Sequence, residues 1–161
     1  MIDSQMKWDH FFIEMARLTA SKSKDPSTKV GCVLVGQDNQ VLSIGYNGFP
    51  RWVDGDDDPN GERWTRPIKY EYVEHAERNA IFNAARSGIV LDGAIAYLNW
   101  EPTPCAACTR ALIQAGIVTI VGPNIPFGGF GDGIHYHTDE DSPSRNMLAE
   151  AEIERRVIQI H

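Results

Sequence analysis

The sequence predicts an α/β fold in three layers, with a five-stranded mixed sheet flanked by helices. Two observations carry that expectation. After residue 75, strand-length apolar runs alternate with segments whose apolar residues recur every three or four positions, a pattern that joins parallel strands through right-handed helical crossovers. Before residue 75, two apolar runs are separated only by a polar turn, which pairs them antiparallel.

The elements follow in order. A helix is expected over residues 7–20, where Trp8, Phe11, Phe12, Met15 and Leu18 make one apolar stripe. The polar run Lys22 to Lys29 breaks it. VGCVLV at 30–35 and QVLSIG at 40–45 flank Gly36-Gln37-Asp38-Asn39 as a β-hairpin, and Gly45 to Pro50 leaves the second strand as a glycine-punctuated loop. The stretch from Arg51 to Lys69 carries Asp54, Asp56, Asp57, Asp58 and Glu62 among prolines. It reads as a long surface insertion without core structure, a kind of segment that is often functional. From Ala76, the residues Ala80, Ile81, Ala84 and Ala85 define a helix that Gly88 stops. AIAYLN at 94–99 is a strand. Thr103 and Pro104 sit in cap and first-turn positions of the next helix, Leu112 and Ile113 give its apolar face, and Gly116 closes it. IVTIV at 117–121 is a buried strand; a glycine-rich loop (Phe127 to Gly133), a helix around 143–153 and a strand near 156–160 follow. No repeat, low-complexity tail or linker interrupts residues 1–161, which read as one domain.

Composition narrows the function. The 161 residues are 42% apolar and 23% charged, with 15 basic against 22 acidic side chains and a net charge of −7. An acidic chain is a poor match for nucleic acid or an anionic membrane, which need the opposite field, so neither is expected as a partner. A small polar substrate suits it better. No apolar run reaches membrane-spanning length, and Met1 to Trp8 has neither the basic start nor the apolar middle of a signal peptide. Three cysteines, an odd number, fit a reducing compartment, so a cytoplasmic protein is expected. A chain this long buries roughly 70% of its unfolded surface and needs no structural metal to hold a core. Metal ligands in it therefore call for a chemical explanation.

Such ligands are present. His75 and Glu77 stand at the start of one helix, and Cys105 and Cys108 at the start of the next. Cysteines three apart in a first turn put both sulfurs on one side, where free backbone N–H groups and the helix dipole favour thiolates. Two thiolates and one imidazole give zinc three ligands and leave one tetrahedral position open for water, the mark of a catalytic site. In a regular helix Glu77 would point roughly 200° away from His75. At a helix entry the first residue need not be helical, so the carboxylate can reach the site without ligating and move protons there. A bare C-x-x-C can also be a redox dithiol, but that reading leaves His75 and Glu77 without a role.

His75-Ala76-Glu77 followed by Pro104-Cys105-Ala106-Ala107-Cys108 matches the H-x-E…P-C-x-x-C signature of zinc nucleobase deaminases. Four blocks narrow the resemblance: Ser23 to Gly31 (SKDPSTKVG), Gly45 to Pro50 (GYNGFP), His75 to Ile81 (HAERNAI) and Ile113 to Ile117 (IQAGI). From about residue 7 to 121 the chain resembles the deoxycytidylate (dCMP) deaminase family. The resemblance implies a cytidine deaminase-like fold and a Zn2+ cofactor. It also implies hydrolysis of the 4-amino group of dCMP to give dUMP and ammonia, with Glu77 as proton shuttle. On the same footing Asn47 contacts the sugar, the Ala76 backbone helps read the base, and subunits assemble as a homo-oligomer, hexamer or dimer, under dCTP and dTTP as effectors. Family members commonly carry a Tyr-His or Tyr-Arg pair for the monophosphate soon after the strand at 117–121. Here Gly122 to Phe130 holds no basic residue, and His135 is the first. Lys29, Arg86 and Arg110 are the basic residues nearest the family blocks, with Arg86 equally placed for a subunit contact. The substrate therefore stays open between dCMP, deoxycytidine, dCTP and a modified cytosine.

Other features have plain readings. Cys32 inside VGCVLV is a small buried hydrophobe. Asp56-x-Asp58-x-Asn60-Gly61 opens like a calcium loop, but Pro67 occupies the place of its bidentate Glu, so a solvated face is expected. His135 and His137 read as exposed loop residues, and Gly128 to Gly133 as a flap rather than a phosphate cradle. Tyr70 and Tyr72 either stack on the base or pack. A tRNA adenosine deaminase shares the metal motif but needs a basic surface. A non-catalytic zinc module would leave Glu77 idle.

Overall fold

A computed structural model describes residues 4–125 and 142–160. The elements are α1 (Ser4–Ala20), β1 (Gly31–Val35), β2 (Val41–Tyr46), a 3-10 turn (Glu62–Trp64), α2 (Lys69–Tyr72), α3 (Ala76–Arg86), β3 (Ile95–Leu98), α4 (Ala106–Gln114), β4 (Thr119–Pro123), α5 (Pro143–Glu150) and β5 (Glu154–Ile158). They form a five-stranded sheet in the order β2-β1-β3-β4-β5. β1 runs antiparallel to both β2 and β3, whereas β3, β4 and β5 are parallel. The expected mixed sheet is present, with helices on both faces.

Strand alternation divides the core into two layers. Cys32 and Leu34 of β1, Ala96 and Leu98 of β3 and Ile120 of β4 pack with α3, α4 and α5 through Ala76, Ala80, Ala84, Leu112 and Leu148. Val33, Val35, Tyr97, Val121 and Ile158 point the other way, onto Phe12, Ile13 and Ala16 of α1. Two glycines let the helices sit this close. A Cβ on Gly31 would overlap the backbone of Ala16 and Ala20, and one on Gly45 the backbone of Ala76 and Ala80. Gly45 thus sets the height of the first turn of α3, where His75 and Glu77 lie.

Four expectations need correction. The buried face of α1 is Asp9, Phe12, Ile13, Ala16, Thr19 and Ala20, whereas Trp8, Phe11 and Leu18 are exposed. Polar residues can face inward here because they are partnered: Asp9 accepts from the Tyr97 hydroxyl at 2.8 Å and from Arg156, and Thr19 bonds back to the Met15 carbonyl.

The stretch 51–69 is not free of core structure. Trp64 is buried and stacks on Phe49 at 4.3 Å, with Tyr72 tilted against the same ring. The aromatic partner comes from outside the insertion, in the GYNGFP loop. Asp56 pairs with Lys24 at 3.0 Å, in keeping with a solvated acidic face.

Thr103 does not cap α4; its hydroxyl is spent on Glu101, and Cys105 is the N-cap. β4 starts two residues later than expected, because the Ile117 N–H closes α4 onto the Leu112 carbonyl and the Val118 N–H goes to Ala94. The glycine-rich loop with His135 and His137 lies outside the described residues. No helix among the described residues is long and apolar enough to cross a membrane.

Candidate metal centre and active site

The second strand leads into the site. After β2, Gly48 and Glu74 exchange two backbone hydrogen bonds, of 3.1 and 2.8 Å. This bridge pins the Asn47-Gly48 turn beside the residue that precedes His75. His75 is the N-cap of α3, with extended backbone at φ −78° and ψ 154°, and Cys105 is the N-cap of α4 at φ −61° and ψ 161°. Neither side chain caps its own helix. A Ser, Thr, Asp or Asn there would stabilise each helix by about 1 kcal/mol. The sequence forgoes that stability to bring an imidazole and a thiol together.

His75 Nδ1 lies 3.4 Å from Cys105 Sγ and 3.4 Å from Cys108 Sγ. The three ligand atoms fall within 4.8 Å of one another. Zn–S and Zn–N bonds of about 2.3 and 2.0–2.1 Å at tetrahedral angles separate nitrogen and sulfur ligands by about 3.6 Å, so these residues fit zinc. Among the described residues this is the one grouping of three metal-ligating side chains. Glu77 is buried, and its Oε2 stands 3.6 Å from Cys108 Sγ, next to the ligands without belonging to them.

The electrostatics agree. The hydrogen bond with Cys108, reinforced by His75, brings the Cys105 thiol down to about 3 against the cost of burial. The same Cys105 raises His75 to about 9. Cys108 goes the other way, because a thiolate next door, burial and the Glu77 carboxylate all oppose a second negative charge. The cluster holds one ready thiolate, and a dication binding there displaces the remaining protons. Burial raises the Glu77 carboxyl above the usual range, so it holds its proton nearer neutrality than an exposed carboxyl does.

The other expected site residues lie as follows. Ala76 is fully buried as the first helical residue of α3, where backbone N–H groups have no intrahelical partner. The Asn47 side chain is buried and hydrogen-bonded to Val30, Thr28 and Asp25. Tyr72 packs on Phe49 with the Arg63 guanidinium over its ring at 4.6 Å, whereas Tyr70 is exposed. The Lys29 ammonium donates to the Ser23 carbonyl, and Arg110 is exposed on α4. Two residues escaped the sequence reading. Asp25 and Lys69 form a buried ion pair at 2.6 Å beside Asn47. Asp25-Pro26-Ser27 did carry a turn signal, since an Asp before Pro-Ser can accept the N–H two residues on; nothing local marked Lys69.

Fold and cluster together define a class, an α/β protein whose described residues hold a three-ligand metal cluster that fits zinc, with a buried carboxyl beside it. The chain belongs to the cytidine and deoxycytidylate deaminase zinc-binding family, whose model matches residues 6–122. It is 37% identical over 152 residues to the deoxycytidylate deaminase of Mus musculus, an alignment spanning 91% of this chain and 76% of that protein. It is 36% identical over 125 residues to the deoxycytidylate deaminase of Homo sapiens, covering 74% of this chain and 66% of that protein. The chain thus matches about two-thirds to three-quarters of the length of these curated relatives. A dCMP deaminase from the cyanophage S-TIM5, solved in complex with dCMP and dUMP, shares the fold with a TM-score of 0.70 at 22% identity, covering 99% of this chain and all of that one.

Proposed function

We propose that this chain works as one zinc-dependent deaminase domain that hydrolyses dCMP to dUMP and ammonia. The observation that carries the reading is a carboxylate, Glu77, 3.6 Å from a thiol of the metal cluster and outside the ligand set. His75, Cys105 and Cys108 hold the zinc, which supplies Lewis acidity that makes water a nucleophile near neutral pH. Glu77 Oε takes the two protons of the attacking water in turn, passing one to ring N3 and the other to the departing 4-amino nitrogen. One C–O bond forms at C4 and one C–N bond breaks. Burial of Glu77 keeps the proton from exchanging with bulk solvent between those steps. The free N–H groups at the start of α3, near Ala76, suit the polar edge of the base, and Asn47 suits the sugar.

Lys29 and Arg110 are the basic side chains proposed for the phosphate, and Tyr70 and Tyr72 the aromatic ones for the base. Tyr70 is exposed, whereas Tyr72 packs on Phe49. A homo-oligomer, hexamer or dimer, responding to dCTP and dTTP, accords with the family, and a cytoplasmic setting keeps Cys105 and Cys108 reduced. The run from Gly122 to Ile134 without a basic residue favours a second reading, deamination of the nucleoside deoxycytidine.

Ammonia release from a panel of cytosine and adenine nucleosides and nucleotides tests the reading. Turnover of dCMP well above deoxycytidine, dCTP and adenosine is the expected result. Deoxycytidine turned over as efficiently as dCMP would replace the nucleotide reading with the nucleoside one.

A further inference from the structure

Three stretches of chain meet at one buried carboxylate outside the metal cluster. Asp25 is fully buried. Its Oδ1 accepts from the Ser27 and Thr28 N–H groups at 2.8 and 3.1 Å and from the Ser27 hydroxyl at 3.0 Å. Its Oδ2 accepts from the Lys69 ammonium at 2.6 Å and from Asn47 Nδ2 at 3.2 Å. Lys69 is only 5% exposed and donates a second bond to the Ser27 hydroxyl at 2.8 Å. Desolvating both charges offsets most of their attraction, so such a pair is a weak source of stability and a good means of fixing one arrangement.

What it fixes is the Asn47 amide. Both Nδ2 hydrogens are spent, on Asp25 and on the Thr28 carbonyl at 2.8 Å, and Oδ1 accepts from the Val30 N–H at 2.8 Å. A carbonyl oxygen has two lone pairs, so the capacity left over is a single acceptor site. Rotating the amide by 180° would set Oδ1 against the Asp25 carboxylate and the Thr28 carbonyl, and Nδ2 against the Val30 N–H. The negative charge on Asp25 penalises that state. The backbone bridge between Gly48 and Glu74 holds this same turn next to His75.

We propose that Asp25 and Lys69 are positioning residues that lock the Asn47 amide as an acceptor, so that it reads a sugar hydroxyl, the 3′-hydroxyl of a deoxynucleotide, as a donor. The proposal rests on the deaminase reading above. In Asp25→Asn the new side chain keeps its oxygen toward Ser27 and Thr28 and turns an NH2 group on Asn47 Nδ2, donor against donor, which removes the charge that opposes the flipped amide and loosens the hold on its orientation. In Lys69→Met the carboxylate loses its counter-ion and no longer holds the charge that orients the amide.

The test compares kcat/KM for dCMP and for 2′,3′-dideoxycytidine monophosphate in zinc-loaded wild type, Asp25→Asn and Lys69→Met. Wild type should prefer dCMP by about 10-fold, the worth of one hydrogen bond to a neutral acceptor. In both variants that ratio should fall toward unity, through KM for dCMP, while zinc content stays at the wild-type level. A general loosening of the fold would lower both substrates together and leave the ratio in place. A folded, zinc-loaded variant that keeps the wild-type ratio overturns the proposal, as does failure of both variants to fold, which would make the pair structural. A wild type inactive on dCMP instead overturns the functional reading itself.

Discussion

His75 and Cys105 occupy the same position in two different helices: each is an N-cap with extended backbone, and their Nδ1 and Sγ atoms meet at 3.4 Å. Because an N-cap lies half outside its helix, its side chain is free to turn away from the axis while the next residues project from the first turn. Cys108 from one helix and Glu77 from the other then approach the same point. The centre is thus built from the entries of α3 and α4, and its geometry depends on how those two helices are seated.

The first consequence is a metal stoichiometry. Elemental analysis should find close to one zinc per chain, and Cys105→Ala or Cys108→Ala should remove it. Full zinc occupancy in the Cys105→Ala, Cys108→Ala double variant would contradict the ligand set.

Glu77 separates proton transfer from metal binding. Glu77→Gln keeps shape and volume, so zinc should stay, while turnover falls by at least the ~100-fold typical of a lost general acid–base. Wild-type turnover in that variant would show that another group moves the proton.

Seating of α3 can be tested through glycine. Gly45→Ala forces a Cβ into the backbone of Ala76 and Ala80 and should cost about 1–3 kcal/mol in unfolding experiments, as overpacking does. Gly48→Ala, whose Cβ would meet nothing within 4 Å, should unfold within error of the wild type. Equal stability of the two variants would mean that the helix gives way without cost.

The Asp25–Lys69 pair gives a pH dependence of defined sign. Burial pushes the Asp25 carboxyl up, but Lys69 and the Ser27 and Thr28 N–H groups outweigh it and hold it below the ordinary value of 3.8. A carboxylate depressed in the folded state contributes stability above its unfolded value and loses it as pH falls through the folded one. Unfolding free energy measured from pH 6 downward should therefore drop more steeply below pH 3.8 in wild type than in Asp25→Asn. Metal loss at acid pH affects both proteins, so the difference between the curves isolates Asp25. Parallel curves would contradict the assignment.

How far the sequence was readable depended on whether the determinant was local. The metal set, the two helix starts and the mixed sheet follow from spacing within short segments, and the structure places His75, Cys105 and Cys108 in one cluster. The inward face of α1 did not follow from spacing, because Asp9 and Thr19 turn inward on partners supplied by Tyr97, Arg156 and the Met15 carbonyl. Lys69 looked like the last residue of a polar insertion. Its partner lies 44 positions earlier in the chain, at Asp25, and no periodicity encodes such a pairing. Trp64 is buried for the same kind of reason, through Phe49.

The central claim is that the Glu77-flanked zinc centre deaminates dCMP, and the most direct measurement is conversion of dCMP by zinc-loaded protein, with dUMP and ammonia quantified together. The account predicts equal amounts of the two products, formed in wild type and at ~100-fold lower rate or less in Glu77→Gln. Zinc-loaded wild type that releases no ammonia from dCMP would contradict it.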